Sequence, residues 1–199
     1  MISELFAELS DVDEETTARL RSRLVATAGA EGLLDVGYRT VDSPVGQLLL
    51  AATAQGLVRV AFHREGHDSV LGALAGSVSP RILAAPSRLD KAARQLDEYF
   101  AGRRTAFDLP LDFRLARGFR LAVLRHLTVI PYGGTESYTQ VAAAAGSPRA
   151  VRAAGTACAT NPLPLVVPCH RVVRSDGSSG GYRGGAEAKQ TLLTLETSK

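Results

Sequence analysis

An α+β fold in two parts is what this chain predicts. Three short strand-like runs, separated by tight turns, fall between residues 36 and 63. Helical periodicity surrounds them, and from residue 118 onward helices dominate, two of them short and joined by a Gly-Ser turn. Charge divides along the same line. Residues 116–199 hold ten Lys/Arg against four Asp/Glu, whereas residues 1–115 hold thirteen against sixteen. A basic half beside a mildly acidic one suggests that only the second half meets a polyanion. With 45% hydrophobic and 22% charged residues, a chain of 199 can bury the core of one large domain or two small ones.

Residues 1–33 predict a helical extension. Asp13-Glu14-Glu15 puts acids in a first turn, Leu20, Leu24 and Val25 recur at helical spacing, and Gly29 and Gly32 stop the run. Packing on the next domain is its expected role. Val36–Val41, Gln47–Thr53 and Leu57–His63 read as antiparallel neighbours, turned by Ser43-Pro44 and Ala54-Gln55-Gly56. One helix follows from about Ser69. A second, from near Ser87, carries Leu89, Ala92, Leu96 and Phe100 and stops at Gly102. Gly102–Arg117 reads as an extended link. Phe119, Val123, Leu124, Leu127 and Ile130 share a helix face that Pro131-Tyr132-Gly133-Gly134 ends. Ser137 is placed to cap one short helix. Ser147, with Pro148 after it, is placed to cap a second that runs through Val151, Ala154 and Cys158. The pair resembles a helix-turn-helix. On the second helix Arg149 and Arg152 project from a surface of small residues, which suits a DNA groove. Arg171-Val172-Val173-Arg174 reads as a strand, Ser178–Gly185 as a glycine-rich loop without phosphate-loop spacing, and Ala186 opens a final helix. The expected domains are thus 1–33, 34–115 and 116–199.

No apolar run is long enough to span a membrane, and the N-terminus lacks the basic start of a signal peptide, so a soluble cytoplasmic protein is expected. Cys158 and Cys169 make neither a disulfide framework nor a Cys-x-x-Cys zinc spacing, and no metal or cofactor is expected. Cys169 stands in Pro168-Cys169-His170-Arg171, after an apolar run between prolines. A thiolate is a soft nucleophile, and imidazole is its usual proton acceptor. A bare Cys-His pair is more often a buried structural cysteine, so the surroundings must decide.

Those surroundings resemble the O6-alkylguanine-DNA alkyltransferases. Val167-Pro168-Cys169-His170-Arg171-Val172 is that family's active-site signature. The likeness runs in register from Phe119 to Glu196 through Ile130-Pro131-Tyr132-Gly133, Ser137-Tyr138, Ser147–Arg152, Asn161-Pro162 and Gly180–Gly185. Residues 36–102 are similar to the family's N-terminal domain, less specifically. The resemblance implies a ribonuclease H-like first domain with a small antiparallel sheet and a winged helix-turn-helix-like second domain. It implies irreversible transfer of the methyl group of O6-methylguanine, and less surely of O4-methylthymine, from double-stranded DNA to Cys169. His170 would act as base through a water, Glu196 would orient it, and Asn161 would brace the turn. Tyr138 would donate to N3 of the flipped guanine, and Arg152 would fill the gap in the base stack. Ser147 and Arg149 would contact DNA, the carbonyls of Cys169 and Val172 would accept from the guanine amino group, and the Arg183 amide beside Tyr182 would face O6. A monomer in solution, with cooperative assembly on DNA left open, is the implied state.

This chain departs from the pattern in having no Trp, with Leu124 and Thr191 at the usual places, and in the bulk of Arg183, which either narrows the pocket or points at phosphate. Two other readings stay open. A non-catalytic lesion reader on the same fold would bind without transfer, and a Cys-His acyl-transfer enzyme would react with an ester probe in the absence of DNA.

Overall fold

The computed structural model describes residues 13–197, so residues 1–12 of the expected helical extension lie outside the described residues. Helix α1 (Glu14–Ala30) begins where the Asp13 carboxylate accepts from the Thr16 amide at 2.5 Å. It ends on Gly32, whose φ of 68° suits a residue without Cβ, as the Leu33 amide reaches back to the Ala28 carbonyl at 2.8 Å. Gly29 lies inside the helix. Of the expected apolar face, Val25 packs with Ala28 onto Leu34, Leu83 and Ala85, but Leu20 and Leu24 are 51% and 54% exposed. The helix touches the next domain along a narrow seam.

Strands β1 (Val36–Val41), β2 (Leu48–Thr53) and β3 (Gly56–Phe62) form the expected antiparallel meander. The turn into β3 requires Gly56, because a Cβ there would collide with the Pro110 carbonyl of the linker. A fourth strand, β4 (Ile82–Ala84), pairs parallel to β1 and gives the order β3-β2-β1-β4. Its three residues, between Pro80 and Pro86, are too few to show alternation, so the sheet is not wholly antiparallel as expected. Helix α2 (His67–Ser77) covers one face through Val70 and Leu74, which meet Leu49, Ala51 and Val58. Helix α3 (Asp90–Phe100) follows a 3₁₀ turn at Pro86–Leu89 and covers the other, where Leu96 and Tyr99 share a core with Leu48, Leu50, Val60 and Phe62. Alternate residues of β2 therefore feed two cores.

The second core cluster does not stop at the linker. It continues into α4 (Gly118–Leu127) through Val123, Leu124 and Leu127, and on to the Cys169 region, so both halves share one interior. Strand β5 (Glu136–Ser137) leads into α5 (Tyr138–Ala144), where Ser137 and Gln140 cap each other, with Gln140 N 3.2 Å from Ser137 Oγ and Ser137 N 2.7 Å from Gln140 Oε1. Ser147 does not cap the next helix. Its amide donates to Ala142 O at 2.9 Å, closing α5 behind Gly146 (φ 84°), and its carbonyl accepts from the Ala150 amide at 2.9 Å. Ser147–Ala150 is therefore a β-turn with Pro148 at its second position, and α6 begins only at Val151 (Val151–Ala159). Strand β6 (Val172–Val173) pairs parallel with β5, and α7 (Ala186–Thr197) closes the chain onto the core. No helix among the described residues is long and apolar enough to cross a membrane.

Candidate active site

The eight residues from Asn161 to Pro168 are all buried, and Asn161 shapes them. Its Oδ1 accepts from the Leu163 amide at 2.9 Å, and its Nδ2 donates to the Val167 carbonyl at 2.8 Å and lies 3.1 Å from Cys169 Sγ. Leu165, at φ 74°, absorbs the tightest bend. The expected strand from Arg171 is shorter than its sequence suggests. Cys169–Arg171 is a 3₁₀ turn, closed by the Arg171 amide on Pro168 O at 3.0 Å, and extended chain begins at Val172. Pro168 cannot donate to a sheet, and a turn here lets adjacent side chains diverge. Cys169 Sγ thus finds Asn161, while His170 reaches the last helix.

There the His170 ring lies with Nε2 2.9 Å from Glu196 Oε1. Every neighbour of the Glu196 carboxylate is a donor. Oε1 also accepts from Tyr99 Oη at 2.7 Å and Arg171 Nη2 at 2.8 Å, and Oε2 accepts from Arg171 Nε at 2.8 Å and the Gly133 amide at 3.0 Å. Although burial works against ionisation, the bonds from His170 and Arg171 hold Glu196 far below the usual carboxylate range. Burial pushes His170 down, against the pull of Glu196, which favours the neutral ring. Because an ionised carboxylate only accepts, the ring proton sits on Nε2. Nδ1 is buried and has no hydrogen-bond partner among the described residues, which leaves its lone pair free. Burial raises the Cys169 thiol to about 11, opposed by the Asn161 donor and the nearby Lys189 charge. A buried thiol of that acidity needs a base, and Nδ1 is the lone pair this cluster leaves free to serve as one.

Lys189 is one of three contributors that the sequence reading passed over. It is fully buried, and its Nζ donates to the Val172 carbonyl at 2.6 Å. That carbonyl therefore spends one of its lone pairs inside the protein. The signal was present, since Lys189, Leu192 and Glu196 recur at i, i+3 and i+7 on the core face of α7. Tyr99 and Arg171 are the others. Tyr99 lies in the helix that stops at Gly102 and Arg171 in the active-site signature, but nothing local ties either to Glu196.

Tyr138, the first residue of α5, is half-buried against the glycine-rich loop, where a Cβ at Gly180 would collide with its hydroxyl. Burial, and behind it the cysteines, raise its phenol, which stays a proton donor. Tyr182 stacks edge-on between Phe62 and His170, at centroid distances of 5.5 and 6.2 Å. Ser147 is half-buried, and Arg149 and Arg152 stand exposed on the turn and helix of the α5–α6 pair. Arg183 points neither into the cluster nor outward. Its Nε lies 3.0 Å from Glu65 Oε2 in the N-terminal half. Among the described residues no group of three His, Cys, Asp or Glu is placed to hold a metal.

A four-stranded sheet with its helices, a helical pair with exposed arginines, and a buried cysteine beside an imidazole–carboxylate pair define a protein of two joined parts with a candidate nucleophilic sulfur and a candidate nucleic-acid surface. Residues 36–113 match the ribonuclease-like domain of 6-O-methylguanine DNA methyltransferase, and residues 118–198 match its DNA binding domain. The methylated-DNA–protein-cysteine methyltransferase of Mycolicibacterium paratuberculosis is 42% identical over 161 residues, covering 81% of this chain and 92% of that protein. The crystal structure of Mycobacterium tuberculosis O6-methylguanine methyltransferase superposes with a TM-score of 0.72 at 39% identity, over 82% of this chain and 93% of that one. The M. tuberculosis protein in complex with DNA gives 0.71 at 39% identity, over 81% and 93%. The chain belongs to the 6-O-methylguanine DNA methyltransferase family.

Proposed function

We propose that this protein repairs O6-methylguanine, and also O4-methylthymine, in double-stranded DNA by moving the methyl group onto Cys169. The observation that carries this reading is the cluster in which Cys169 Sγ lies 3.1 Å from Asn161 Nδ2 beside His170, whose Nε2 is held 2.9 Å from Glu196. His170 Nδ1 takes the thiol proton through one water. The thiolate attacks the methyl carbon, and an S–C bond forms as the C–O bond breaks with its electron pair passing to the purine. O6 becomes a carbonyl, and the guanine anion takes up one proton, in net the one the thiol gave to His170, to end as the N1–H keto base. Tyr138 supplies a proton donor at N3, which makes guanine a better leaving group. The thioether has no nearby group able to cleave it, so each molecule acts once. An alkyl group inside a duplex is out of line for attack, so the base must leave the stack; Arg152 fills the gap, while Arg149 and Ser147 hold phosphate. The division 1–33, 34–115 and 116–199 assigns the chemistry to the last part, in a monomer that works in the cytoplasm on nucleoid DNA.

The test is transfer of labelled methyl from an O6-methylguanine duplex. Label is expected to saturate at one equivalent on the peptide containing Cys169. Continued turnover, or label on Cys158, would refute the assignment. Tyr138→Phe is expected to slow single-turnover transfer by about 10²-fold with duplex affinity kept; an unchanged rate removes the phenol as donor. Arg152→Ala is expected to cost roughly tenfold or more on duplex substrate, because unstacking loses its compensation, and much less on free O6-benzylguanine. Equal losses on both would count against insertion into the stack.

A further inference from the structure

The glycine-rich loop beside Cys169 is pinned by both halves of the molecule. At one end Gly180 lies on Tyr138. At the other, Gly184 sits on the Phe62 ring, where a Cβ would come within 2.7 Å of it. Arg183 stands between, and its partner Glu65 is no loose surface carboxylate. Glu65 Oε1 accepts from the Phe62 amide at 2.9 Å, and Oε2 also meets the guanidinium of buried Arg59. Arg59 in turn donates to the carbonyls of Val60 at 3.0 Å and Pro162 at 3.2 Å, so the chain of contacts ends beside Asn161. The Glu65 side chain is 11% exposed and that of Arg183 33%.

An exposed ion pair stabilises a fold very little. Here the acceptor is fixed from behind and the donor rides on a segment with glycines at 180, 181, 184 and 185, which offers little stiffness of its own. The pair therefore governs where the loop stands more than how stable the protein is. With Cys169 as acceptor, the alkyl carbon must lie beside Sγ, next to this loop.

We propose that the Arg183–Glu65 pair is a latch that sets the width of the alkyl pocket, which makes Arg183 a specificity-determining residue favouring small adducts. The inference rests on the reading of Cys169 as the alkyl acceptor. It also accounts for the side chain's direction: a guanidinium engaged with a carboxylate that a second arginine holds in place is not free for phosphate.

The experiment compares single-turnover transfer from duplexes carrying O6-methylguanine or O6-benzylguanine, with the full-length protein and its variants. Arg183→Ala is expected to raise the benzyl-to-methyl rate ratio about tenfold, the lower end of what apolar pockets achieve in size discrimination. Glu65→Gln keeps an acceptor for the Phe62 amide but removes the charge, and should move the ratio the same way. In the benzyl-to-methyl ratio the double variant should add little to Arg183→Ala, since the contact the two changes share is already broken; Glu65→Gln also weakens the Glu65–Arg59 pair, which is read separately as a lower Tm. A ratio unchanged or lowered in Arg183→Ala overturns the latch, as does a double variant whose effects simply add. An unchanged ratio with weaker duplex binding and a shallower salt dependence would place Arg183 on phosphate instead. Failure of the wild-type protein to take label from either duplex would overturn the assignment of Cys169, and the latch with it.

Discussion

Replacing Cys169 by alanine is expected to abolish methyl transfer and leave duplex binding intact. The substitution removes one sulfur from a site 3% exposed, and the bond lost is a single contact with Asn161 Nδ2, whose other donation to Val167 O at 2.8 Å remains. The cost to folding is accordingly about 1 kcal/mol. The arginines expected to meet DNA stand on the exposed face of the α5–α6 pair and do not depend on Sγ. Cys158 cannot substitute. Burial and the neighbouring Cys169 push its thiol up to about 12, and among the described residues the histidine–carboxylate pair beside the cysteines, His170–Glu196, is on the Cys169 turn. Labelled-methyl transfer and a duplex-binding titration on the same preparation check both halves of the expectation. Transfer surviving in Cys169→Ala would move the nucleophile elsewhere; Cys158→Ala, by contrast, should still transfer.

The second large effect is expected from Glu196→Gln. All groups around this carboxylate are donors, so an amide must turn its own NH₂ toward at least one of them. The Arg171 guanidinium would then be buried without a counter-charge. Breaking a buried pair in this way costs about 3–5 kcal/mol. For a chain of this size that corresponds to a fall in Tm of roughly 10 °C. Transfer should fall too, by ~10²-fold, because His170 loses the acceptor that keeps its proton on Nε2 and its lone pair on Nδ1. Measured well below the melting point, a variant with reduced Tm but the full transfer rate would show that Glu196 only supports the fold.

The same site sets the acid side of the stability curve. Glu196 titrates below its ordinary value of 4.5, so its contribution is complete above pH 4.5 and is lost as pH falls toward the folded-state value. His170 is depressed below 6.5, so on acidification the unfolded chain takes that proton first, and stability starts to decline below pH 6.5. Wild-type Tm should be level from about pH 7 to 8 and fall in two stages on acidification; above that range it should fall again, because the unfolded chain ionises Cys158 and Cys169 first. Glu196→Gln should show a smaller lower stage, left to carboxylates such as Asp35.

Local rules made much of this molecule readable. The meander was visible because turns and alternation repeat at short range, α5 because Ser137 stands where a cap is needed, and the ends of α1 and α3 because Gly32 and Gly102 adopt the φ of 68° that other residues avoid. Ser147 misled because a serine before proline suits both a helix cap and a turn. Only the bond from Ala150 to its carbonyl, with the preceding glycine closing α5, distinguishes the two. Strand β4 was hidden because three residues carry no period, and its partner in β1 lies 46 positions away, Val36 opposite Ile82.

What the sequence by itself determined was the chemistry on offer: a cysteine and a histidine side by side behind prolines, a tyrosine and arginines on a short helix pair, and a glutamate on the final helix. What the tertiary structure alone decided was how those groups are tuned. Tyr99, Gly133 and Arg171 converge on Glu196, Lys189 takes the Val172 carbonyl, and Arg183 crosses to Glu65. Side-chain identity is local, whereas protonation and aim depend on burial and on donors brought together by packing from distant parts of the chain, and no spacing along the sequence encodes those distances.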